Sequence, residues 1–274
     1  MSALLQPIGV ILPALYFFTA VLYGMAFGGE RSPRLFERRR SVFRVALLLH
    51  GLWLLAHARA AGSLPVGDTW MLVSAISWTT ALLFGGITWR QSQATVGFFV
   101  IALCSLLQLF ASAFGPLAPI ATAPADTFRI LHSVTSILAS AALLLSGIYG
   151  FLHILLYRQM RQRTFGPIFR ALPNLELLAG MMRRAALAGF VFLTIGLNLG
   201  IIMGHARSND GFDYGDPHVI LTLALWVHFG AISFSRYIRG LTARRASYAA
   251  FAGLVSLLLL IVLTLLPSVT AHSL

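Results

Sequence analysis

The chain has 274 residues, 58% of them hydrophobic and only 10% charged, against roughly 45–50% and 25% in an ordinary soluble domain. That composition excludes a soluble globular protein. A single cysteine, Cys104, excludes an intramolecular disulfide and a CxxC redox or zinc motif. The net charge of +12 comes from 20 basic residues, every one an arginine, against 8 acids.

Eight apolar stretches follow in chain order, at 7–27, 42–61, 70–89, 94–114, 128–157, 185–205, 217–237 and 246–267. Most are near the roughly 20 residues a helix needs to cross about 30 Å of hydrocarbon. Continuous apolar runs rather than alternating segments of about ten residues exclude a β-barrel. The expected fold is therefore all-α, a polytopic membrane helix bundle of about eight transmembrane helices forming a single integral membrane domain over 1–274. The first stretch has no basic residue before it and is too long for a signal core, so it reads as a retained helix.

Eight crossings put both termini on one side. If that side is outside, only Arg59, Arg129 and Arg207 lie at the outer face and the other 17 of the 20 arginines sit in or beside inner loops. This is a strong positive-inside pattern. The basic charge is thus topological, and nucleic acid is not an expected partner. The expected location is a bacterial inner (cytoplasmic) membrane with periplasmic N- and C-termini. The segment 158–184 carries Ile168, Phe169, Leu172, Leu175 and Leu178 among arginines. It reads either as an interfacial helix or as a basic loop.

Ionisable residues within a membrane are costly and mark function, which directs attention to the eight histidines. His132 opens the fifth stretch at the outer face and His272 follows the eighth. His205 and His218 flank the loop between the sixth and seventh stretches, and His57 lies in the outer part of the second. His50 and His228 fall near mid-membrane, and His153 near an inner end. No HExxH-like spacing supports zinc. Haem needs only one or two imidazoles from distant parts of the chain and an apolar aromatic wall, and 12% of the residues are aromatic. For each histidine the alternative is a hydrogen bond to a neighbouring helix. His50 and His57 are separated by about 10 Å along one helix and cannot easily share an iron. His132 and His272 can do so if the fifth and eighth helices are neighbours.

The order of residues in the second half resembles the CcsA/CcmC/HemX-like cytochrome c assembly family. The resemblance rests on LPNLE at 172–176, GFVFLTIGLNLG at 189–200, Asp216-Pro217, Trp226, GLTARRA at 240–246 and the terminal HSL beginning at His272. It is strongest over 128–274. It implies haem handling, with haem b held at an outer site by His132 and His272 beneath a tryptophan-rich loop. In full synthases reduced haem is presented to CxxCH thiols of apocytochrome c, together with a ResB-type membrane partner.

The departures from the family pattern lie in that loop. Where the family has WxWDPKE this chain has DYGDPHV at 213–219, so both tryptophans are absent. Phe212, Tyr214 and His218 are the candidate replacements for the lid. Phe234 stands where the synthase has an inner histidine, and His50 matches the membrane histidine of the second helix, with His228 as its only available partner. The implied function is an accessory, HemX-like role in cytochrome c biogenesis, without ligation by this chain alone. The alternatives are a membrane scaffold or regulator of haem synthesis holding no haem, and a full haem-ligation synthase component. A transporter would show helices broken at mid-membrane, and Gly196 with Gly200 reads more simply as close helix packing. Asp216 reads as a helix cap with Pro217 at the first helical position. Arg44 and Arg236 read as snorkelling to lipid phosphate.

Overall fold

The computed structural model describes residues 2–28, 33–62, 68–88, 94–115, 126–207 and 214–264. The described residues form nine α-helices: α1 (Ser2–Gly24), α2 (Pro33–Ala61), α3 (Thr69–Ile87), α4 (Ala94–Phe114), α5 (Thr127–Arg161), α6 (Pro167–Ala171), α7 (Leu175–Arg207), α8 (Pro217–Ser233) and α9 (Ala243–Thr264), with a 3-10 turn at Met25–Gly28. Seven of them are long and apolar enough to cross a membrane, and α8 is a shorter apolar helix of 17 residues. The protein is an all-helical, polytopic membrane bundle.

Each of the eight apolar stretches is a helix, but several boundaries move. Helix α2 begins nine residues before the predicted start at 42, and α7 ten residues before 185. Both extensions are arginine-bearing segments, which a hydropathy reading assigns to loops although arginine is a good helix former. At the other extreme, α8 ends at Ser233 and the chain runs on through turns to Gly240. At 1.5 Å per residue its 17 residues span about 26 Å. The basic segment at 158–184 is neither one interfacial helix nor a simple loop. It holds the end of α5, the five-residue α6 and the first turns of α7.

Polar caps close several ends. Asp68 accepts from the Met71 N–H at 3.1 Å at the start of α3, and Asn174 accepts from Leu177 N–H at 2.8 Å at the start of α7. The LPNLE motif is therefore a helix start, with Asn174 as cap and Glu176 in the first turn beside the positive end of the helix dipole. Asp216 caps α8 through the His218 N–H at 2.7 Å, with Pro217 at the first helical position, as the sequence led us to expect.

By contacts the chain divides into two compact units, Met1–Pro124 with Ile154–Leu177 and Ala125–His153 with Leu178–Leu274. In the first, α4 packs on α1 and α3, and α2 packs on α1 and α3. Its core is built on Tyr16, Phe84, Val100 and Ile101, all fully buried. Trp78 donates from Nε1 to the Leu47 carbonyl at 2.9 Å, and Gly51 leaves room for that indole, whose Cζ2 lies 2.9 Å from where a Cβ would stand. Thr95 donates to the Ala171 carbonyl at 2.9 Å and ties α6 to the start of α4.

In the second unit α5 is the central element, with Leu143, Leu144, Leu145, Tyr149 and Leu152 buried. Small residues set the helix spacing. A Cβ at Gly147 would collide with Leu254, and one at Gly150 would lie 2.9 Å from the Ala250 Cβ. Ser146 donates to the Met182 carbonyl at 3.0 Å. Without a hydrophobic driving force between helices in lipid, such close backbone approach and interhelical hydrogen bonds are what hold helices together.

Candidate functional site

Three helix ends converge at one side of the second unit: the start of α5, the end of α7 and the start of α8. His132, in the second turn of α5, lies across the face of α7. Its Nδ1–H donates to the Gly196 carbonyl at 2.8 Å, and the ring rests on Gly200, where an added Cβ would lie 3.0 Å from Cε1. Gly200 thus leaves the room the ring occupies, while Gly196, one turn earlier, supplies the carbonyl and lets Thr135 and Ser136 approach α7, each hydroxyl 3.2 Å from where a Gly196 Cβ would stand. Because a carbonyl can only accept, Nδ1 carries the proton of this bond, and in the neutral form of the ring Nε2 is the lone-pair nitrogen. A ring nitrogen anchored on a backbone carbonyl with its opposite nitrogen basic is the arrangement that orients metal-binding histidines.

His218 lies at the start of α8, exposed, within electrostatic reach of both Asp216 and His132. Tyr214 is exposed in the turn before it, its ring edge-on to His205 at 6.1 Å between centroids. Trp226 is half-buried, about two turns further along α8. Its Nε1 donates to the Thr194 hydroxyl at 2.8 Å, and its indole stacks on Phe190 at 5.3 Å. Phe212 and His272 lie outside the described residues. The structure thus places His132 and His218 within electrostatic reach at one end of the unit and sets Trp226 in the α7 to α8 packing.

The mid-membrane histidines are engaged differently. His50 is fully buried and both ring nitrogens have partners, Nδ1 with the Tyr16 hydroxyl at 3.1 Å and Nε2 with the Ser74 hydroxyl at 2.9 Å. Ser74 in turn donates to Gln108 at 2.8 Å, Gln108 to Ser112 at 3.1 Å, and Ser112 to the Gly9 carbonyl at 2.7 Å. His228 spends Nε2–H on the Ala249 carbonyl at 2.8 Å and packs against Gly253, so it joins α8 to α9. His57 packs its ring on Trp53 with 4.2 Å between centroids and places Nδ1 3.2 Å from the Trp53 carbonyl.

Two features were not chosen from the sequence. Gly200 makes room for an imidazole, a role that Gly-x-x-x-Gly spacing alone does not distinguish from helix packing. His153 carries a buried Nδ1 that has no hydrogen-bond partner among the described residues, as does the Tyr149 hydroxyl one turn earlier. Among the described residues no three His, Cys, Asp or Glu side chains cluster as a metal site.

Comparison with known proteins agrees with the helix pattern and the ordered motifs. The family described as cytochrome C assembly protein matches residues 40–269, from the first turns of α2 to beyond the end of α9. The chain is similar to the cytochrome c biogenesis protein CcsA of Mesostigma viride, 26% identical over 275 aligned residues covering 88% of this chain and 87% of the relative. It is also similar to protein HemX of Brevibacillus brevis, 24% identical over 142 residues, 52% of this chain and 50% of the relative. With the matched segment spanning most of the chain, the protein belongs to the cytochrome c assembly protein family.

Proposed function

We propose that this membrane protein binds haem b at the arginine-poor ends of α5, α7 and α8 and serves as an accessory, HemX-like factor in cytochrome c biogenesis. The single observation that carries the reading is the seat of His132, with Nδ1 held by Gly196 at 2.8 Å and the ring against Gly200. A neutral imidazole presented through Nε2 suits haem iron. Bound haem would supply an iron centre whose potential its axial ligands set. His132 and His272 are the proposed ligands. His218, Phe212 and Tyr214 form the proposed lid in place of the family's indoles, with Trp226 bracing α7 against α8 behind them. His228 joins α8 to α9 in the unit that carries the site, and His50 ties α1, α2 and α3 together in the other unit.

The arginine distribution supports a bacterial inner membrane with this site on the periplasmic side. The proposed partners are a ResB-type membrane protein and apocytochrome c, the partners that the resemblance of the sequence motifs implies. A second reading, a scaffold or regulator of haem synthesis that holds no haem, is favoured by the engaged nitrogens of His50 and His228. The visible spectrum of the purified protein separates the two. A low-spin haem spectrum after expression with ample haem is expected. A colourless preparation that stays colourless on titration with haemin would leave the scaffold reading.

A further inference from the structure

Between Arg184 and His205, α7 carries no ionisable side chain over 185–204. At 1.5 Å per residue that stretch measures about 30 Å, the thickness of a bilayer's hydrocarbon core. One face of it is uncovered. Ala188, Val191, Ile195, Asn198 and Ile202 are all exposed, and their spacing alternates between three and four residues. That average of about 3.5 is the repeat along which two helices stay in contact at a shallow crossing.

Asn198 separates this face from an ordinary lipid-facing surface. It lies about 10 Å along the helix from His205, inside the stretch without charges. Its Nδ2 donates to the Thr194 carbonyl at 2.7 Å, one turn back on the same helix. The second Nδ2–H and the Oδ1 acceptor have no partner among the described residues. Acyl chains offer none, and amide groups left unpaired in hydrocarbon are costly. The exposed stripe of α2 shows the contrast: Val45, Leu48, Leu52 and Leu55 follow the same spacing without a polar atom among their side chains, and lipid alone suits them.

We propose that this face of α7 binds the same face of a second copy of the chain. Two copies inserted in one membrane share an orientation, so a two-fold axis along the bilayer normal sets their α7 helices parallel and brings the two Asn198 side chains to the same depth. A carboxamide is its own complement. The unused Nδ2–H of each donates to the Oδ1 of the other, which satisfies both amides at once, and amide bonds of this kind join helices in membranes. The small Ala188 allows close backbone approach, and Val191, Ile195 and Ile202 pack above and below the amide pair. Arg184, exposed where the stripe ends, extends to water and lipid phosphate. Gly196 and Gly200, which meet α5, lie on the opposite side of α7 from Asn198, so pairing leaves the His132 contact intact. The dimer stands independently of haem binding.

The test is energy transfer between donor- and acceptor-labelled copies of the purified full-length protein in phosphatidylcholine vesicles, over a range of lipid-to-protein ratios. The chain has no lysine, so amine-reactive dyes label its amino terminus alone. The expected result is transfer that falls reversibly on lipid dilution as a monomer–dimer equilibrium. Asn198→Leu should raise the dissociation constant about tenfold, with an unchanged melting temperature. Asn198→Gln, which keeps the amide, should dimerise more tightly than the leucine variant, and Leu52→Ala on α2 should dimerise as wild type. Crosslinking gives a second reading that does not depend on the Asn198 variants folding. The native thiol is fully buried and is removed as Cys104→Ala. In that background Ile202→Cys copies should form a disulfide under mild oxidation and Leu52→Cys copies should not. Transfer no greater than random proximity at every dilution would overturn the proposal and leave the face to lipid or to another protein's helix. A dimer that Asn198→Leu does not weaken, or Leu52→Cys crosslinking as readily as Ile202→Cys, would overturn it as well.

Discussion

Ser112 donates a 2.7 Å hydrogen bond to the carbonyl of Gly9, the carbonyl that Pro13, lying inside α1, deprives of its helical N–H partner. In hydrocarbon such an orphaned carbonyl must be satisfied from within the protein. Because a carbonyl only accepts, this one contact sets the direction of the whole buried chain. Ser112 spends its proton on Gly9, so it accepts from the Gln108 amide nitrogen. The Gln108 oxygen therefore accepts from Ser74, and Ser74 accepts from His50 Nε2–H, while Nδ1 lies 3.1 Å from the Tyr16 hydroxyl. His50 thus carries a proton on Nε2 at the centre of a network that crosses α1, α2, α3 and α4.

Gln108→Leu should therefore destabilise the protein more than replacement of an exposed polar residue. It leaves the Ser74 hydroxyl without its acceptor and Ser112 without its donor. The expected cost is about 1–3 kcal/mol, read as a lowered melting temperature in detergent. His50→Ala should show a similar loss and leave any haem spectrum unchanged. A variant pair with wild-type melting temperatures would mean the chain carries no stability.

Gly200 tests the imidazole seat. Gly200→Val forces the His132 ring off α7, since even a Cβ would lie 3.0 Å from Cε1. The expected result is an altered or weakened haem spectrum with the protein still inserted. Gly86→Val, at a helical glycine with nothing within 4 Å of its added Cβ, serves as the control and should leave the spectrum as it is. Equal spectra for both variants would separate haem from the seat.

The arginine distribution predicts the orientation. Alkaline phosphatase fused after Leu274 should be active, and a reporter that works only in the cytoplasm should be active when inserted after Arg161. The reverse pattern would invert every assignment of side.

Ligation by this chain alone is not expected. The family's loop offers two indoles whose flat faces stack on a porphyrin, and Asp213 and Gly215 occupy those positions here. Each aromatic contact is worth about 0.5–1.5 kcal/mol beyond its buried area, so haem presentation should fall about tenfold or more. In a strain lacking its own synthase but supplied with a ResB-type partner, no haem-stained covalent cytochrome c should appear. Robust maturation there would make the protein a synthase component.

The helices were legible because membrane thickness imposes a length that hydropathy alone detects, and Asp216 with Pro217 was legible because capping is local. The early starts of α2 and α7 were not, since arginines in a helix that leaves the bilayer look like loop residues. The histidines could be ranked by depth but not by partner. His50 depends on Tyr16 and Ser74 from two other helices, and His132 on two glycines 64 and 68 positions away in the chain.

The most direct measurement is the visible spectrum of the purified wild-type protein beside that of His132→Ala combined with His272→Ala, both checked for expression and insertion. The account predicts a low-spin, bis-histidine haem spectrum in the wild type and its loss in the double variant. Bound haem with the same low-spin spectrum in both would contradict it.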